Sequence, residues 1–227
     1  MRVTLIHNPG AGADEPSAGS LLALIRSAGH DAAYQSSKDD GWSAALEDPG
    51  DLVAVAGGDG TVGKVARRLI GRRVPIAILP LGTANNVSKT LGLTETPIAQ
   101  LIAGWGTAHR LKFDISVASG PWGSTCLIEG LGVGLFATTM SMLDARANSD
   151  LAHSNDPEAE LTSVVEILGE RLHSCPAQKL NVTLDGQDLS GEYILLEAMN
   201  IPRTSATISV TVNRHALEFL VPPISSW

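Results

Sequence analysis

The sequence predicts an α/β protein in two parts: a doubly wound, mostly parallel N-terminal sheet over residues 1–108, then a mostly antiparallel, β-sandwich-like domain over residues 109–227. Three observations carry this. Strand-like and helix-like segments alternate from residue 2 to about 104, the pattern of a parallel sheet covered by helices. The apolar run at 52–56 stops at Gly57-Gly58-Asp59-Gly60-Thr61, after which Val62, Val65, Ala66, Leu69 and Ile70 recur at helical spacing. Beyond residue 109 the apolar residues alternate over short runs separated by turn formers.

Taken in order, residues 2–7 form a first strand, and Asn8-Pro9-Gly10-Ala11-Gly12-Ala13 is a loop of turn formers. A helix follows with Ala18, Leu21, Leu22, Ile25 and Ala28 on one face, ended by Gly29. Residues 31–35 are a short strand and 42–46 a short helix. The central strand and its glycine turn come next. Residues 74–79 are a further strand, ending in Pro80-Leu81-Gly82-Thr83-Ala84-Asn85-Asn86, a second polar turn. Helices then run through Val87, Leu91 and Leu93 and around Ile98, Leu101 and Ile102. Turns after parallel strands lie at one sheet edge, so Asn8, residues 57–61 and residues 82–85 are expected to meet.

In the second half, residues 110–117 and 125–131 read as strands and 136–143 as a helix. Residues 145–157 are a loop. Asp156 is placed to cap a helix whose first turn holds Pro157 and whose face is Leu161, Val164, Val165, Leu168 and Leu172. Residues 179–184 alternate, Asp185-Gly186 is a hairpin turn, and 192–198, 208–212 and 216–221 complete the strands.

Composition limits the function. With 227 residues and 44% apolar content there is material for a sizeable core. Aromatics are only 4% and the net charge is −8, with no basic stripe. A dedicated nucleic-acid binder is therefore not expected. Cys126 and Cys175 have no Cys or His neighbour at metal-ligand spacing. Cys126, in an apolar run, is expected to be a buried thiol, and a reducing, cytoplasmic setting is the natural reading. The six histidines are scattered, which disfavours zinc. No signal-peptide pattern or bilayer-length apolar stretch is present.

The turn at 57–61 carries the chemistry. Glycines let a backbone approach a ligand closely, and amides at a helix start suit a phosphate. A lone acid there, Asp59, calls for a metal ion or a hydroxyl proton as its partner. Lys64, Arg67 and Arg68 share a helix face, followed by Arg72 and Arg73, and read as a solvated face rather than a phosphate contact. Lys89 stays open between the two. Glu129, in an apolar strand, needs a partner. The tryptophans read as packing residues, with Trp122 a candidate for dipping towards a membrane surface.

Together, the turns at 8–12, 57–61 and 79–86 resemble those of the diacylglycerol kinase catalytic-domain family, which includes bacterial lipid kinases and sphingosine kinases. The resemblance covers the N-terminal half in order and spacing, and residues 212–222 resemble the family's closing strand. It implies ATP with Mg2+, bound in the cleft between two domains. Asn8, Pro9, Gly57, Gly58, Gly60 and Thr61 would line the nucleotide, and Gly82, Thr83 and Asn85 would flank it. Asp59 is the implied catalytic residue, orienting or deprotonating a lipid hydroxyl or serving a magnesium-linked role. The metal ligands are not assigned. The family usually has Asp where Asn86 stands, and a longer acidic segment where residues 200–206 run almost directly into the closing strands.

The function implied is an ATP-dependent lipid kinase acting on a diacylglycerol-like or other long-chain lipid alcohol, cytoplasmic and in transient contact with a membrane surface; homodimer formation stays open. A non-catalytic nucleotide- or lipid-binding relative is the alternative. NAD kinase, with a similar Gly-Gly-Asp-Gly-Thr turn, is a second alternative. It is disfavoured by the form of the 79–86 turn and by the lack of an Asn-Glu pair in the substrate site.

Overall fold

A computed structural model describes residues 1–12, 16–120, 123–147, 157–184, 186–201 and 211–221. Asp156, Asp185, Trp122, Trp227 and residues 202–210, on which some of the expectations fall, lie outside the described residues.

The chain divides into two compact units. The first comprises Met1–Glu129 with Asn200–Pro202 and Thr211–Trp227, and the second comprises Gly130–Met199 with Arg203–Val210. In the first unit a seven-stranded sheet runs β2-β1-β3-β4-β13-β5-β6. Its parallel part is β1 (Arg2–His7), β2 (Asp31–Ser36), β3 (Leu52–Gly57) and β4 (Ile76–Pro80). Every residue of β3 is buried, as expected of a parallel strand covered on both faces.

The intervening helices are α1 (Ala18–Ser27), α2 (Asp59–Leu69), α3 (Asn86–Thr90) and α4 (Ile98–Gly104), with a 3-10 turn at Trp42–Leu46. Helix α1 starts at Ser17, whose Oγ accepts from the Ser20 amide. It ends in a Schellman motif, with Gly29 N–H on Arg26 O at 2.9 Å and His30 N–H on Ile25 O at 3.3 Å. Gly29 takes φ +81°, the left-handed conformation this ending requires.

Strands β5 (His109–Gly120), β6 (Gly123–Leu127) and β13 (Thr211–Val221), expected on the substrate side, instead complete the sheet of the first unit. β13 lies parallel to β4 and antiparallel to β5, so the sheet is mixed at this end. The expected strands at 208–212 and 216–221 are, over the described residues, one strand with an irregularity between Asn213 and Leu217. Phe219 is fully buried and meets Phe113 edge-on, with ring centroids 5.2 Å apart.

The second unit is antiparallel as expected, built as three separate pairs. β7 (Gly130–Gly134) pairs with β12 (Leu195–Met199), β8 (Gln178–Leu180) with β11 (Gly191–Tyr193), and β9 (Thr183–Leu184) with β10 (Gln187–Asp188). The single strand expected at 125–131 is broken, because the chain leaves β6 of one unit at Leu127 and enters β7 of the other at Gly130. Helices α5 (Leu135–Ala147) and α6 (Pro157–Leu172) complete it.

The face expected of α6 is corrected. Val165 is 60% and Leu172 52% exposed, whereas Ile167 is 1% exposed. Ile167 is flanked by the half-buried Val164, Leu168 and Arg171, so Val164 and Leu168 of the expected face stay inward, and the side chain of Leu161 lies outside those described. Cys126, expected to be buried, is half-buried on edge strand β6. Trp105 is buried as expected, stacked on His30.

Candidate functional site

The strand order places a switch point between β1 and β3. From these neighbours the chain departs in opposite directions, to β2 on one side and to β4 on the other. In an open α/β sheet the crevice at the carboxyl ends of such a pair is where ligands bind. The loop after β1, the turn after β3 and the turn after β4 all sit there, so Asn8, Pro9, Gly57, Gly58, Asp59, Gly60, Thr61, Gly82, Thr83 and Asn85 come to one edge of the first unit.

Main-chain bonds tie the three turns together. Asn8 N–H donates to Ala56 O at 2.9 Å, and Leu81 N–H donates to Gly57 O at 3.2 Å. The two glycine turns touch at Gly58 and Gly82. A Cβ on Gly82 would lie 2.4 Å from Gly58 Cα, and one on Gly58 would lie 3.1 Å from Gly82 Cα. A Cβ on Gly57 would lie 2.8 Å from Thr61 Oγ1. Gly58 and Gly82 are therefore needed for the turns to pack on each other, and Gly57 for its own turn to close on Thr61. Gly60 differs: a Cβ there would meet nothing within 4 Å.

Asp59 takes a position that sequence reasoning did not find. Its Oδ2 accepts from the Asn86 amide and its Oδ1 from the Val87 amide, both at 2.9 Å. It caps α3 from another element, because the N-cap residue Asn85 makes no side-chain cap bond. Asn85 sits at φ 48°, ψ 43°, a conformation Asn tolerates better than most residues. Its Oδ1 accepts from Gly82 N–H at 3.0 Å, and its Nδ2 donates to Gly82 O. Asn85 and Asn8, whose Oδ1 accepts from Gly10 N–H at 3.2 Å, thus shape their own turns.

Asn86 and Glu129 join the site. Asn86 Nδ2 donates to Glu129 Oε1 at 2.6 Å. The sequence signal was a carboxylate in an apolar run; its partner, 43 residues away, was not legible. Lys64, Arg67, Arg68 and Lys89 are exposed, which agrees with the solvated reading of the helix face. His7, the last residue of β1, is 4% exposed, and burial lowers its pKa below the ordinary histidine value.

The edge fits a phosphate group. The amides of Asp59 and Gly60, at the start of α2, have no earlier turn of helix to donate to, whereas Thr61 N–H already donates to Gly58 O at 2.9 Å; the space beside Gly60 is clear. The described residues offer no comparable site for a protein-held magnesium ion. Among the described residues no group of three or more His, Cys, Asp or Glu side chains is arranged to hold a metal; each Asp59 oxygen accepts from one amide and keeps a further acceptor site.

Comparisons with known proteins follow the same stretch. The diacylglycerol kinase catalytic domain family matches residues 2–116. A "Diacylglycerol kinase" of Mycobacterium tuberculosis is 32% identical over 121 residues, covering 46% of this chain and 37% of that protein. A "Probable lipid kinase YegS-like" protein of Pseudomonas aeruginosa is 33% identical over 134 residues, covering 53% and 44%. The matched stretch thus spans less than half the length of these curated relatives. A solved diacylglycerol kinase structure from Bacillus anthracis superposes with a TM-score of 0.56 at 23% identity, covering 86% of this chain and 61% of that one. Another solved chain from that organism superposes with a TM-score of 0.61 at 23% identity, covering 92% and 67%. At this identity the structural likeness concerns the fold.

Proposed function

The chain belongs to the diacylglycerol kinase catalytic-domain family, and from that premise we propose that it is a lipid kinase, transferring the γ-phosphoryl group of ATP to the hydroxyl of a diacylglycerol-like or other long-chain lipid. The observation that supports this reading best is the joining of the two glycine turns at the switch point, backbone against backbone at Gly58 and Gly82, with Asp59 bridging them. Phosphoryl transfer asks a protein mainly for positioning and charge stabilisation, and two turns locked together supply a fixed frame.

In this reading the amides at Asp59 and Gly60, at the start of α2, meet phosphate oxygens. Gly60 leaves their approach open. Asn8, Pro9, Thr61 and Thr83 border the nucleotide. Asn85 and Gly82 hold the shape of the second turn, and Asp59 holds α3 in place. Each Asp59 oxygen retains one further acceptor site, through which it would orient the attacking hydroxyl. That hydroxyl oxygen bonds to the γ-phosphorus as the bond to the β-phosphate oxygen breaks. The hydroxyl proton passes to the Asp59 carboxylate and on to solvent, and ADP departs with the bonding electron pair. Magnesium would arrive with the nucleotide phosphates. Among the described residues no helix is long and apolar enough to cross a membrane; the lipid would be reached by transient contact with a membrane surface on the cytoplasmic side.

A second reading is a relative that binds nucleotide or lipid without turnover. It is favoured by one observation: among the described residues no group of three or more His, Cys, Asp or Glu side chains gathers around Asp59. Incubating the protein with labelled ATP, magnesium and a panel of lipid alcohols, with NAD in parallel, separates the readings. Label in a lipid phosphate, lost in Asp59→Ala, is expected. ATP binding without transfer would select the second reading. No binding at millimolar ATP would refute both, and label in NAD would make the protein an NAD kinase.

A further inference from the structure

Helix α3 has five residues, too few to be stable by itself, and it is held from outside. Asp59 takes its first two amides. The second hold is on Asn86, whose Nδ2 donates to Glu129 Oε1 at 2.6 Å. The carbonyl of Asn86 accepts in turn from Thr90 Oγ1 at 2.9 Å. Glu129 is itself anchored, its carbonyl accepting from Asn200 N–H at 2.7 Å. Glu129 is the last residue before the chain leaves the first unit, and Asn200 is the residue at which it returns.

We propose that Glu129 is a positioning residue for the phosphate-binding turns, acting through Asn86 on the amides that Asp59 holds. Asn86 is the link between two carboxylates, presenting its main-chain N–H to one and its side-chain N–H to the other. Fixing the side chain of Asn86 fixes the direction of its amide, and that amide with the next sets where the Asp59 carboxylate rests. Asp59 begins α2, whose first amides face the phosphate in the reading above, on which this inference rests. Glu129 acts by accepting the hydrogen bond of Asn86. It needs no contact with the nucleotide, so its charge matters less than its oxygen.

The test is ATP affinity measured by calorimetry with magnesium present, on the full chain. Glu129→Ala is expected to weaken ATP by about tenfold. Glu129→Gln, which keeps an accepting oxygen, is expected to stay within about threefold of the parent. Asn86→Ala should match Glu129→Ala, and the double variant should be no worse than either single. Equal loss in Glu129→Gln and Glu129→Ala would mean that the charge itself meets the ligand, and would overturn the proposal. So would additive losses, or no loss at all. If the parent protein binds no ATP, the kinase reading fails. Hydrogen exchange then decides the inference separately: Glu129→Ala must speed exchange at the Asn86 and Val87 amides, and unchanged protection there sinks it.

Discussion

At residue 82 a single methyl group would lie 2.4 Å from the Cα of Gly58, and no flexible side chain is available to give way. Gly82→Ala must push the two turns apart, at a cost of about 1–3 kcal/mol. Gly60→Ala meets nothing and removes a glycine from a helix, which should stabilise by roughly 0.5 kcal/mol while weakening ATP. Urea unfolding of the two variants should therefore move in opposite directions, and ATP titration should weaken in both. The motif was legible as a string of glycines in the sequence, but the division of labour among them was not, because it depends on which neighbour each α-carbon faces. His7 offers a second residue-level prediction. Burial lowers its pKa in the folded chain, so the unfolded chain takes up a proton first as the pH falls. The stability contributed by neutral His7 is complete above about pH 6.5 and declines below it, down to the folded pKa. His30 is shifted the same way, by burial first and then by the N-terminal ammonium group. Urea midpoints at about pH 7 and pH 5.5 should differ less in His7→Gln than in the parent.

At the scale of elements, α6 shows where periodicity misleads. Leu161, Val164, Val165, Leu168 and Leu172 make an apolar stripe, yet among the side chains described in the helix the fully buried one is Ile167. Two apolar stripes compete on this sequence, and the choice between them is made by what α6 packs on, chiefly α5. Ile167→Ala should destabilise by about 2–4 kcal/mol, and Val165→Ala should stay within about 0.5 kcal/mol of the parent. Thermal or urea unfolding distinguishes them, and the reverse order would restore the stripe read from the sequence. Strands β3 and β4 were legible because uninterrupted apolar runs ending in glycine turns have few other uses. Helix α3 was less so: five residues carry too little pattern, and its cap comes from Asp59, 27 positions upstream.

For the whole molecule the informative position is Asn200, where the chain re-enters the first unit. Its Nδ2 donates to Asp114 O at 2.9 Å and to Ile128 O at 3.1 Å, and its Oδ1 accepts from Ser116 Oγ at 2.6 Å. One side chain thus joins β5 to the segment leaving β6. The sequence placed the domain boundary near 108 because alternation of strand and helix ends there; it held no sign that β5, β6 and β13 extend the first sheet, since β13 pairs with β5 across about a hundred residues. A residue holding such a return connection should behave as a unit. Asn200→Ala leaves Ser116 Oγ and two carbonyls without their partner and should cost roughly 2–4 kcal/mol. Asn200→Asp keeps the shape but sets a carboxylate against two carbonyl oxygens, so it should be at least as damaging near neutrality. Once protonated, the introduced carboxyl group can donate again, so this variant alone should recover part of its loss as the pH falls towards the carboxylate range. Equal urea midpoints for Asn200→Ala and the parent would show that the strand pairing of β13 holds the return connection without it.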